Sequence, residues 1–264
     1  MRFIYLTLRL GSVQAFILIL LLTACDSPMP TPTPFATEVI ATETDLPTLP
    51  TSTPSTQTRI TFTTPDNATI EGTLYGEGDT AVIFSVMGNC KRGWEDMAEI
   101  VAQNGMTALT YQWHGCRESG SANETELKKF VNDLRGAINF MRAHGAKKII
   151  LVGASLGGCA SAKLAAESQA DGLIVVASPP EISQFDFEIL PADVNTNISK
   201  LFITAENDNV VSQDQTRALF DLAAEPKEWQ TYPGSAHGTD LFETENESEL
   251  QERILDFILA IDAQ

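Results

Sequence analysis

Lys148-Ile149-Ile150-Leu151-Val152-Gly153-Ala154-Ser155-Leu156-Gly157-Gly158-Cys159-Ala160 decides how the chain is read. Lys148–Val152 is a short apolar run of the kind buried on both faces of a parallel sheet. Leu156–Glu167 is rich in small residues and reads as a helix. Between them, Gly153-Ala154-Ser155-Leu156-Gly157 matches G-x-S-x-G. The five-residue pattern alone is weak. Its place between a buried strand and a helix gives it meaning, because a sharp strand-to-helix turn holds a serine in strained backbone geometry with its hydroxyl exposed. Glycines at 153 and 157 leave room where side chains would clash. The helix N-terminus directs free N–H groups and a partial positive charge at the same place, which suits a developing oxyanion.

Outward from this turn, strands and helices alternate. Arg59–Thr63 and Ile70–Tyr75 read as two short strands forming a hairpin. Ala81–Val86, Thr107–Tyr111, Leu173–Ala177, Leu201–Ala205 and Glu228–Tyr232 are further strands. Trp94–Asn104 is a helix ended by Gly105. Glu124–Ala143 is a helix with Leu127, Phe130, Val131, Leu134, Ile138 and Met141 on one face. Gln213–Ala223 and Ser248–Ile261 complete the set. The pattern predicts an α/β domain over residues 59–264. Its sheet is mostly parallel, of about eight strands, with helices on both faces and right-handed crossovers. Ser178–Lys200, about two dozen residues, is too short for a large lid. Its Ile182, Phe185, Phe187, Ile189 and Leu190 either cover a pocket or pack as an ordinary loop on the core.

The N-terminus reads differently. Arg2 and Arg9 lie in or before an apolar run to Leu22, and no acid occurs before Asp26, which predicts a secretory signal over residues 1–24. Leu22-Thr23-Ala24-Cys25 resembles the bacterial lipoprotein box, with Cys25 as the lipidated residue. Two or more acyl chains there would hold the chain firmly on a membrane. An uncleaved membrane anchor ending at an ordinary cysteine is the other reading. Both export the rest of the chain. Residues 26–58 contain seven Pro, ten Thr and three Ser, with no Gly, Lys or Arg. This composition predicts an extended tether that reaches on the order of 100 Å, over residues 25–58 with the lipidated cysteine.

The chain carries 17 basic and 35 acidic side chains, a net charge of −18. That argues against nucleic acid as a partner, since phosphate binding needs clustered Lys and Arg. No His/Cys/Asp cluster has metal-ligand spacing, and no Gly-rich phosphate fingerprint follows the first strand, so neither a metal nor a nucleotide cofactor is expected.

A weak nucleophile needs a base, and the base an orienting acid. There are three histidines. His114 lies in a Gly/Cys loop, and His144 sits at a helix end before Gly145. His237, in Gly234-Ser235-Ala236-His237-Gly238 between the last strand and last helix, is the candidate base. Asp208 follows the strand Leu201–Ala205 and would stand at the same carboxyl edge of the sheet, where open α/β sheets place ligands.

The order Ser155, Asp208, His237, with the elbow and the strand pattern, resembles the α/β-hydrolase family over roughly residues 60–264. Within it, the chain is similar to compact, dienelactone-hydrolase-like serine hydrolases with a minimal cap. The resemblance implies that Ser155 is the nucleophile, His237 the general base and Asp208 its orienter, with Glu206 and Asp214 as rival acids. It implies an oxyanion hole made by the Leu156 N–H and an amide after Ala81–Val86, here Met87 or Gly88. Many family members carry His-Gly where this chain has Met87-Gly88. The family's strand order also brings the loops of Cys90 and Cys116 together, making them a candidate disulfide; free thiols are the alternative. Cys159 reads as a buried small residue behind Ser155. The activity implied is that of a lipid-anchored, extracytoplasmic, esterase-like serine hydrolase acting on a small ester, thioester or amide. A non-catalytic binding lipoprotein on the same scaffold, or an acyltransferase with the same triad, are the alternatives.

Overall fold

The computed structural model describes residues 55–116 and 123–264. The predicted signal segment, Cys25 and the predicted tether up to residue 54 lie outside the described residues.

In chain order the strands are Gln57–Thr63 (β1), Thr69–Tyr75 (β2), Thr80–Ser85 (β3), Thr107–Tyr111 (β4), Lys148–Ala154 (β5), Gly172–Val176 (β6), Glu181–Ile182 (β7), Phe187–Glu188 (β8), Ser199–Ala205 (β9) and Lys227–Tyr232 (β10). The helices are Glu95–Gln103 (α1), Glu124–Leu127 (α2), Phe130–Ala143 (α3), Leu156–Leu164 (α4), Pro191–Val194 (α5), Gln213–Leu222 (α6) and Glu247–Asp262 (α7). Eight strands form one sheet in the order β1-β2-β4-β3-β5-β6-β9-β10. β1 pairs antiparallel with β2, and β2 with β4; every other pairing is parallel.

The central strands β3, β4 and β6 are buried along their whole length, and β5 and β9 are buried after their first residue. Such runs are apolar on both faces because helices cover both. Gly172 of β6 lies against Ile261 of α7 on one face. Phe202, on the opposite face of the neighbouring β9, packs edge-on against Phe220 of α6. Helices α1 and α7 touch each other, as do α3 and α4.

Two predicted helices differ from the structure. The run 124–143 is two helices, with Lys128 and Lys129 exposed between them. The Lys129 backbone (φ −89°, ψ 6°) leaves the helical path there, so that buried Leu127 packs by Gly115 while buried Phe130 meets Trp113. The elbow helix ends at Leu164 rather than Glu167, and Gln169 takes a positive φ shortly after. Ser178–Lys200 is a small ribbon, β7 and β8 joined by a single 3-10 turn, followed by α5. Phe185 and Phe187 of this segment pack on Phe130 of α3, Ile189 is buried, and Leu190 is exposed. The segment therefore rests largely on the core.

The elbow depends on two close approaches. A Cβ on Gly153 would run into the backbone of Gly157, and a Cβ on Gly157 into the backbone of Ser85 and Val86. Overpacking of this kind against immobile backbone is destabilising. Gly157→Ala is expected to cost roughly 3 kcal/mol of stability, read as a lower urea midpoint. A wild-type midpoint would contradict the close approach.

Candidate active site

Ser155 sits between β5 and α4 at φ 53° and ψ −118°, a region that L-residues avoid. Its N–H donates to the Val176 carbonyl at 2.8 Å, and its carbonyl accepts from Ser178 Oγ at 2.9 Å. These bonds to the adjacent strand's end hold the strained turn in place. Ser155 is the first residue before α4, so the Leu156 N–H at the helix start has no partner within the helix.

His237 Nδ1 lies 2.8 Å from Asp208 Oδ2. The Asp208 carboxylate is wholly buried, and the imidazole is 11% exposed. Asp208 Oδ1 accepts the N–H groups of Val210 (2.9 Å) and Val211 (3.1 Å). The carboxylate thus has one oxygen satisfied by its own loop and the other directed at the histidine. Glu206 and Asp214 are exposed and make no hydrogen bond to His237. His114 pairs with Glu126 (3.1 Å), and His144 stacks on Phe140.

The histidine loop packs against the elbow. Gly238 (φ 57°) is so close to Met87 and Ala154 that a Cβ would press on the Met87 sulfur and lie 3.3 Å from the Ala154 Cβ. His237 and Ser155 are therefore flanked by touching neighbours. No hydrogen bond joins Ser155 Oγ to the imidazole among the described residues. Buried Met87 packs against Gly238 of the histidine loop, beside Ala154 at the end of β5.

Gly88 lies over Leu156, with a Cβ there reaching 3.3 Å from the Leu156 side chain. The candidate oxyanion loop therefore borders the helix start. This loop is tied down on several sides. Cys90 and Cys116 are joined by a disulfide. Lys91 Nζ pairs with Asp240 (2.5 Å) and Glu243 (2.8 Å), just beyond His237, and these carboxylates raise its pKa. The Trp94 indole donates to the Ser85 carbonyl (3.0 Å), and the Trp113 indole to those of Val86 (3.2 Å) and Met87 (3.3 Å). Sequence reasoning gave neither tryptophan, nor Lys91, a place at the site. Their partners lie far along the chain, so spacing gives no signal for them. Cys159 is buried, with its thiol pKa raised by burial, and donates to the Pro179 carbonyl.

A cavity of about 780 Å³ opens elsewhere, between the β1–β2–β4 end of the sheet and α1. Arg59, Thr73, Glu95, Glu99 and Gln112 are among its lining residues; Ser155, Asp208 and His237 are not. Geometry rather than cavity size marks the site.

Residues 80–192 match the model of a family described as serine aminopeptidase, S33. None of the curated proteins matches the sequence. Among solved structures, the chain is similar to the esterase Pf2001 of Pyrococcus furiosus at 14% identity and a TM-score of 0.64, covering 78% of this chain and 90% of that one. It is also similar to the α/β hydrolase GrgF from Penicillium sp. sh18 at 19% identity and a TM-score of 0.67, covering 79% and 100%. An α-β serine hydrolase homologue from Coxiella burnetii follows at 19% identity and 0.58, covering 75% and 96%. With the eight-stranded sheet, these similarities define the α/β-hydrolase fold.

Asp133 on α3 is a buried carboxylate beside the Cys116 loop. Its Oδ2 accepts the His114 N–H at 2.8 Å, and its Oδ1 has no partner among the described residues. Burial pushes its pKa up from 3.8 to about 6. Between those values the native chain keeps the proton and the unfolded chain gives it up. Asp133 therefore favours folding most at low pH, and this contribution is lost as pH rises through about 6. Asp133→Asn is expected to gain stability relative to wild type at pH 8 compared with pH 4, by on the order of 2–3 kcal/mol. Urea midpoints of both proteins at the two pH values check this, and equal differences at both would contradict it.

Proposed function

We propose that the domain is a serine hydrolase that cleaves a small ester, thioester or amide. The observation that carries this reading is the pairing of His237 with buried Asp208 at 2.8 Å, on a loop packed against the residue that precedes the strained Ser155. With its Nδ1–H donated to Asp208, the imidazole presents Nε2 as an acceptor. As substrate arrives, Nε2 takes the proton of Ser155 Oγ, which attacks the carbonyl carbon. The oxyanion is met by the Leu156 N–H and by the Met87 or Gly88 N–H. The imidazolium returns its proton to the leaving alcohol, thiol or amine. Water, deprotonated by the same nitrogen, then releases the acyl group and restores Ser155. The aminopeptidase description of the matching family model supports the amide arm, and the similarity to esterases the ester arm.

The same reading places the domain outside the cytoplasm, held on a membrane by Cys25 and spaced from it by the Thr/Pro-rich tether. Nucleic acid has no place in it, and small acyl compounds are the partners.

Fluorophosphonate labelling of the full chain tests the chemistry. Wild type is expected to label at Ser155, and both Ser155→Ala and His237→Ala to lose labelling while turnover falls about 10⁴-fold or more. A folded wild type that neither labels nor turns over p-nitrophenyl esters would overturn the reading. For the anchor, radiolabelled palmitate is expected to enter the wild-type chain in a bacterial host and to be absent from Cys25→Ser. Equal incorporation would refute lipidation at Cys25.

A further inference from the structure

We propose that Trp113 is a positioning residue that aims the second oxyanion-hole amide; the proposal rests on the serine-hydrolase reading above. Trp113 lies two residues beyond β4 and is buried. Its indole N–H is shared between two consecutive carbonyls, Val86 at 3.2 Å and Met87 at 3.3 Å. A trans peptide is planar, with its carbonyl and its N–H directed oppositely. Holding the Val86 carbonyl on Trp113 therefore turns the Met87 N–H away from Trp113. Holding the Met87 carbonyl does the same to the Gly88 N–H. These are the two amides from which the second oxyanion donor is drawn.

The constraint matters because the loop has freedom to lose. Gly88 has no Cβ, and Cys90 already sits at φ 60°. Neither the Met87 nor the Gly88 amide donates a hydrogen bond within the described protein, so no bond of their own fixes their direction. The Met87 carbonyl also accepts the Cys90 N–H at 3.1 Å, and Trp94 holds the preceding carbonyl of Ser85. The Val86 carbonyl has the Trp113 indole as its side-chain donor. Trp113 is itself wedged edge-on between Tyr111 (5.2 Å between ring centres) and Phe130 (6.1 Å). Its ring has little room to turn, which makes the indole N–H a rigid post. The disulfide limits where the loop can go; the indole decides which way its peptides face.

Trp113→Phe keeps an aromatic ring and removes the donor. Trp113→benzothienylalanine, introduced as a non-natural residue, keeps the bicyclic shape and removes the N–H alone, so it answers the question even if the phenylalanine variant folds poorly. Trp229→Phe, on β10 at the far edge of the sheet, is the control for losing an indole N–H, there donated to Thr231. With p-nitrophenyl acetate and the full chain, kcat in the benzothienyl variant is expected to fall about tenfold or more, with KM within about twofold, while Trp229→Phe behaves as wild type. Affinity for a trifluoromethyl ketone, whose adduct carries the oxyanion, is expected to fall by the same factor as kcat. A merely structural role would not produce that match. Unchanged kcat in the benzothienyl variant, or a fall in kcat without a matching loss for the ketone, overturns the proposal and leaves the serine-hydrolase reading standing. A wild type without turnover overturns both.

Discussion

Everything at the carboxyl edge of the sheet depends on how closely the first turn of α4 approaches the end of β3. Gly157 meets the backbone of Ser85 and Val86 with no room for a single carbon between them. That contact seats the helix directly beside the neighbouring strand. It forces the chain to leave β5 through a turn so tight that Ser155 takes a positive φ. It also brings the helix's first free N–H groups to the border of the loop that follows β3. One steric condition, met by a residue without a side chain, thus places the serine, the helix dipole and the loop together.

The loop after β3 shows how the peptides of a short segment can be held by distant parts of the fold. A methionine stands at position 87, and the peptides of the loop are held by groups from other parts of the fold. Two indoles cap three consecutive carbonyls, a disulfide ties the loop to the segment after β4, and Lys91 reaches the turn after His237. Each tether comes from a different direction. Satisfying buried carbonyls with rigid donors removes the alternatives that a short Gly-containing loop would otherwise sample. The side chain at 87 is then free to serve packing, which methionine does well against the irregular surface of a glycine and an alanine.

The sheet was legible in the sequence because its strands are short apolar runs bounded by turns, and Thr107–Tyr111 has the same limits in both readings. The elbow was legible because two glycines and a serine must stand at fixed spacing for the turn to exist. The break at Lys128 and Lys129 was not, since the apolar spacing of Leu127, Phe130 and Leu134 suits one continuous helix. Only the positions of Gly115 and Trp113 separate the two pieces. The ribbon in Ser178–Lys200 was equally silent, because strands of two residues carry no period. At the site, residue types and chain order pointed to Ser155, Asp208 and His237. The indole caps were invisible because Trp113 and Val86 are 27 residues apart, and a tryptophan after a strand does not announce what it holds.

The turn at Ser155 has no local support. Ser85 pairs with Gly153 across the whole of α1, β4, α2 and α3, and the Ser155 N–H waits for a carbonyl at the end of β6. Such non-local pairings assemble slowly, and a strained dihedral persists only where the surroundings over-determine it. A chain in transit, stalled part-way, or cut inside the sheet therefore lacks the strained backbone at position 155. The geometry that distinguishes this residue is made by the closing of the sheet, so that completion of folding and the straining of this turn are a single event.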